Sequence, residues 1–81
     1  MEIKILGKGC PKCHHLEELT EEALYDLGID TQIIKVKDIK KIMTYDILST
    51  PALVIDKEVK CSGNLPSVDE IKVWIQEAGN E

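Results

Sequence analysis

The sequence predicts an α/β fold in which four strands and three helices follow one another as β-α-β-α-β-β-α. Three observations carry that prediction. Apolar residues switch along the chain between helical spacing and short runs rich in β-branched residues. A two-residue turn, Asp56-Lys57, joins the last two strand-like runs. A capping box, Ser67 with Glu70, opens an amphipathic segment near the C-terminus.

Glu2 to Leu6 contains Ile3, Ile5 and Leu6 and is ended by Gly7-Lys8-Gly9, the pattern of a buried strand running into a loop. Cys13, Leu16, Leu19, Ala23, Leu24 and Leu27 then recur in steps of three and four, one face of a helix that Gly28 stops. Ile29 to Lys37 reads as a second strand. Asp38 is placed to cap a short helix with Ile39, Ile42 and Met43 as its apolar stripe. Pro51 leads directly into a third strand, Ala52 to Ile55. The fourth strand, Glu58 to Ser62, is predicted to turn Val59 and Cys61 to one face and Glu58, Lys60 and Ser62 to the other. In the last helix Val68, Ile71, Trp74, Ile75 and Ala78 form the buried stripe, and Gly79 ends it. Strands one and two, joined by a helix, should be parallel with a right-handed crossover. The tight turn makes three and four antiparallel, so the sheet is mixed.

At 81 residues the chain accommodates one small domain, residues 1–81, with a modest core built mainly from Ile, Leu and Val. Its net charge of −5 is the reverse of what a nucleic-acid binder usually carries. From Glu17 to Asp30 every ionised residue is acidic, the pattern of a solvated helix face. Lys4, Lys8 and Lys12 reverse the balance around the first two cysteines. No segment approaches the ~18 apolar residues of a membrane helix, and the N-terminal apolar run is too short and too charged for a signal peptide. A cytoplasmic protein is therefore expected. Cysteines there are normally reduced, which makes a close pair catalytic or metal-binding rather than a structural staple.

That pair is Cys10-Pro11-Lys12-Cys13, at the end of strand one and the start of helix one, the edge of an open sheet where chemistry collects. Unpaired N–H groups and the positive end of the helix dipole stabilise a thiolate at Cys10, and Lys8 and Lys12 add positive charge nearby, so its pKa should lie below that of a free thiol. Cys13, one turn inside on the apolar face, should be shielded. This asymmetry suits a two-step exchange in which Cys10 attacks a disulfide and Cys13 resolves the mixed disulfide. Pro11 fits the first turn, where no N–H bond is lost.

With Thr50-Pro51 entering the third strand and Gly63 following the fourth, the chain resembles the thioredoxin superfamily, and most closely the minimal thioredoxin/glutaredoxin-like redox proteins of archaea and bacteria. The resemblance spans essentially the whole chain. It implies a thioredoxin-like fold with sheet order 2-1-3-4, helices on both faces and a cis Thr50–Pro51 bond facing the cysteines. It also implies a thiol-disulfide oxidoreductase that needs no cofactor or metal and reduces disulfide-containing target proteins after being recharged by an upstream reductase. Pro11, Lys12, Thr50, Pro51 and Gly63 would form the substrate-binding surface, and the protein would act as a monomer.

The chain also departs from that pattern. Gly9 precedes the first cysteine where larger thioredoxins have Trp, and Lys4 stands in the first strand where they carry a buried acid that assists the second cysteine. Gly63-Asn64 replaces the Gly-Gly of glutaredoxins, which favours a protein thiol partner over glutathione.

Two other readings of the cysteines stay open. Cys10 to His14 matches the string that attaches c-type haem, but such attachment generally needs secretion, and the cytochromes that carry it are mostly helical. A soft-metal binding or chaperone domain could use the same thiolates for copper or zinc, although such domains usually place Met two residues before the first cysteine, where this chain has Lys8, and end on a strand. His14 and His15 fall off the apolar stripe and are expected to be solvent-exposed. Cys61 and Trp74 are read as core residues.

Overall fold

A computed structural model describes residues 1–47 and 49–79. Strands β1 (Ile3–Leu6), β2 (Ile33–Val36), β3 (Ala52–Ile55) and β4 (Glu58–Ser62) and helices α1 (Pro11–Leu27), α2 (Ile39–Met43) and α3 (Val68–Gly79) follow one another as β1-α1-β2-α2-β3-β4-α3. The sheet order is β2-β1-β3-β4, with β2 parallel to β1, and β3 antiparallel to both β1 and β4. This is the predicted thioredoxin-like architecture.

Period-two alternation splits the apolar strand residues between two layers. Ile3, Ile5, Leu53 and Ile55 face α1 and α3 and pack with Leu16, Ala23, Leu24, Ile71 and Ile75. Leu6, Ala52 and Val54 face the other way and pack with Ile42 of α2. All four residues of β3 are buried, as a central strand covered on both faces requires.

The predicted caps form. The Asp38 carboxylate accepts from the Lys40 amide at 3.0 Å. Ser67 and Glu70 make the reciprocal capping box, with the Glu70 amide donating to Ser67 Oγ at 3.1 Å and the Ser67 amide donating to Glu70 Oε1 at 3.2 Å. Gly28 closes α1 at φ 68, donating its amide to the last-turn carbonyls.

Five details differ from the sequence expectation. Val59 and Cys61 do not share a face. Leu53 pairs with Cys61 and Val54 with Val59, so Lys60 is an extra residue on β4, a bulge that reverses the alternation. Cys61 consequently packs, half-buried, against the α1/α3 layer, while Val59 joins the α2 layer. In α2 only Ile42 is buried, and Ile39 and Met43 are exposed, because five residues make little more than one turn and present one side chain to the sheet. In α1 the fully buried Thr20 takes a place among the apolar residues, its hydroxyl donating to the Leu16 carbonyl at 2.8 Å, while Leu19 and Leu27 are only partly buried. Trp74 likewise packs at the margin of the core. The acidic face of α1 is also tied to its neighbours: Glu17 pairs with Lys35 of β2 and Asp26 with Lys72 of α3, both at 3.0 Å.

Candidate active site

The loop between β1 and α1 delivers the two thiols. Gly9 turns the chain at φ 89, a left-handed conformation that glycine adopts without steric cost. Cys10 follows as the N-cap of α1, extended at φ −69 and ψ 165, and Pro11 opens the helix. An N-cap side chain normally accepts from amides of the first turn. Here the acceptor is sulfur: the Cys13 amide donates to Cys10 Sγ at 3.3 Å, and the two sulfurs approach to 2.7 Å.

The two thiols ionise differently. The hydrogen bond from Cys13 is the main influence lowering the Cys10 thiol below its ordinary range, and the amides of Cys13, Lys12 and Cys10 lower it further against a smaller cost of burial. The Lys8 and Lys12 ammoniums, both exposed, are not among the causes of that shift, which the Cys13 thiol leads and to which Lys12 contributes only its amide. Cys13 is 6% exposed. Desolvation pushes its thiol up, and its bond to Cys10 adds to the rise.

At the entry to β3 the Thr50–Pro51 bond is cis. Pro51 is fully buried. A Cβ on Gly7 would collide with Cys13 Sγ and come within 3.9 Å of the Pro51 Cα, so Gly7, Cys13 and Pro51 meet at one point. Gly63, at φ 81, donates its amide to the Pro51 carbonyl at 2.8 Å, and a side chain there would strike Ser49 Oγ. Thr50 and Lys12 are exposed, and Thr50 joins Lys8, Ile39 and Ile47 in lining an open groove of about 250 Å³. The sequence reading missed Gly7 and Ser49. The only signal was the glycine spacing of Gly7-Lys8-Gly9, which a loop alone would explain.

Lys4 lies on the α2 side of β1, away from the thiols. Its ammonium donates to Tyr45 Oη at 3.2 Å, the chief cause of its raised pKa, and pairs with Glu2 at 3.5 Å. Among the described residues no three His, Cys, Asp or Glu side chains are grouped to hold a metal ion, and no helix is long and apolar enough to cross a membrane.

A dithiol at the start of a helix, beside a cis-proline loop in a β2-β1-β3-β4 sheet, defines a thiol-disulfide oxidoreductase of thioredoxin-like fold. Residues 1–76 match the thioredoxin domain family. Thioredoxin of Methanocaldococcus jannaschii is 41% identical over 70 residues, covering 86% of this chain and 80% of that protein. Thioredoxin of Methanothermobacter thermautotrophicus is 39% identical over 72 residues, covering 89% and 94%. The chain belongs to the thioredoxin family.

Proposed function

We propose that this protein reduces disulfides in other proteins through Cys10-Pro11-Lys12-Cys13, with Cys10 as nucleophile and Cys13 as resolving thiol. The observation that carries this reading is the asymmetry of the pair: a Cys10 thiol lowered at the helix N-cap, and a buried Cys13 thiol raised beside it. The Cys10 thiolate attacks one sulfur of the target disulfide and releases the other as a thiolate, which takes a proton from solvent. Cys13 then attacks the Cys10 sulfur, closing the Cys10–Cys13 bond and freeing the second target thiol. The protein is left oxidised, and an upstream reductase returns two electrons. Pro11, Lys12 and Thr50, all exposed, form the surface on which the target peptide lies, and Pro51 and Gly63, hydrogen-bonded to each other, complete it. The protein works as a monomer in the cytoplasm, without cofactor or metal.

The test is trapping. A Cys13→Ser variant should accumulate a covalent complex with a disulfide substrate through Cys10, detected by non-reducing electrophoresis and peptide mass mapping. A Cys10→Ser variant should accumulate little and be nearly inactive. Ready trapping by Cys10→Ser would reverse the roles. Tight copper(I) binding by a wild-type protein that exchanges with no disulfide would move the assignment to a soft-metal site.

A further inference from the structure

The resolving step demands that the more reluctant of the two thiols lose its proton in a place with little access to solvent. A cavity of about 20 Å³ lies against Cys13, enough for one water molecule. Apart from Cys13 and apolar neighbours such as Ile5, it is lined by His14, Glu17, Lys35 and Lys37. Each polar group can be judged by what it can accept. The two lysine ammoniums are donors only. Glu17 is engaged by Lys35 at 3.0 Å, and carboxylates as a class hold a proton poorly near neutral pH. Neutral imidazole offers one free lone pair, and histidine is the side chain that ordinarily changes charge between about pH 5 and 8. His14 follows Cys13 directly and is exposed, so a proton it accepts can pass on to solvent. His15, the next residue, does not line the cavity.

We propose that His14 accepts the Cys13 proton during the resolving step, through a water molecule held in this cavity. The proposal rests on the roles given above to Cys10 and Cys13. The Cys13 S–H gives its proton to the water, which passes one to the imidazole. The Cys13 thiolate attacks Cys10 Sγ of the mixed disulfide, the Cys10–Cys13 bond forms, and the bond from Cys10 to the target breaks. The target leaves as a thiolate and takes a proton from solvent, and the imidazolium returns its own. Glu17 from α1, Lys35 from β2 and Lys37 just beyond it are the other charged groups facing this path, and the Glu17–Lys35 pair leaves Lys37 without a counter-ion there among the described residues. A protonated imidazole cannot accept a proton, so the step needs His14 neutral.

Stopped-flow reaction of the reduced full-length protein with dithiobis-nitrobenzoate separates the steps. Attack by Cys10 releases the first thionitrobenzoate at a rate proportional to reagent. Attack by Cys13 on the resulting mixed disulfide releases the second at a rate independent of reagent, which also distinguishes it from labelling of Cys61. A His14→Gln variant should keep the first rate and lose roughly tenfold or more in the second near neutral pH. The pH profile of its second phase should also differ from that of the wild type. A His15→Gln variant should match the wild type in both phases. Unchanged rate and pH profile in His14→Gln, or a slower phase that keeps the wild-type pH profile, would overturn the relay and leave the Cys10 and Cys13 roles standing. A wild-type protein with no reagent-independent phase would instead overturn those roles, and the relay with them.

Discussion

A thiol at a helix N-cap and a thiol one turn inside the same helix meet opposite environments. At the cap, amides without helical partners point at the sulfur and favour its anion. One turn on, the side chain lies among apolar groups and the neutral form is favoured. Cys10 and Cys13 occupy these two positions, and their sulfurs are held in contact. That contact depends on the absence of a side chain at Gly7, because a Cβ there would occupy the space of Cys13 Sγ. A Gly7→Ala substitution should therefore push Cys13 off its position. The expected cost is about 1–3 kcal/mol of stability in the reduced protein, the usual range for overpacking, together with slower closure of the Cys10–Cys13 bond. Urea unfolding of the reduced variant and its rate of disulfide closure read the two effects. Wild-type values for both would mean that the sulfur does not need this space. Cys10 and Cys13 could be picked out in the sequence because their chemistry is written in their residue types, and Pro51 through the family resemblance. Gly7 and the water-sized cavity beside His14 could not, because both arise only when β1, β2 and α1 are placed side by side.

At the scale of elements, what was legible followed from local rules. The capping box at Ser67, the cap at Asp38 and the stop at Gly28 are short-range hydrogen-bond patterns, and all three form as the sequence specifies. The β3–β4 hairpin was legible as far as its turn. The bulge at Lys60 was not, because nothing in Glu58 to Ser62 marks an inserted residue, and its presence inverts the face of Val59. The burial of Thr20 was hidden for a related reason: a polar residue becomes a core residue once its hydroxyl is satisfied within the helix. The hairpin turn carries its own test. Asp56 and Lys57 both have positive φ, at 50° and 70°. This matches the type I′ turn that favours Asp-Gly or Asn-Gly. A left-handed residue other than glycine costs roughly 1–2 kcal/mol, partly offset by the greater chain entropy glycine brings to the unfolded state. Lys57→Gly should therefore stabilise the protein by about 0.5–1 kcal/mol, seen as a higher urea midpoint with an unchanged slope. A lower midpoint would show that the lysine side chain contributes more than its backbone conformation costs.

Across the whole molecule the sheet is covered unequally. On one face two helices totalling 29 residues bring five fully or nearly buried apolar side chains against the strands, Leu16, Ala23, Leu24, Ile71 and Ile75. On the other, α2 contributes Ile42 alone. The lighter face is the one beside the Thr50 groove, since Ile42 helps to line it. A thin cover there leaves the groove beside Thr50 open, while the thick layer holds α1 and its two thiols in place. The same asymmetry ranks two truncations. Ile71 is fully buried between α3 and the sheet, so Ile71→Ala should leave a cavity that close-packed neighbours cannot fill. Its cost should fall in the upper part of the 2–5 kcal/mol range for such changes. For a domain this small that is a large share of its total stability. Ile42 borders open space, so water can enter the volume lost in Ile42→Ala, and its cost should sit near the bottom of that range, about 2 kcal/mol. Urea unfolding of the two variants in the reduced state decides the ranking. Equal losses would mean that α2 closes a second core as firmly packed as the first, and the groove beside Thr50 would then be a rigid part of the fold rather than its lightly built edge.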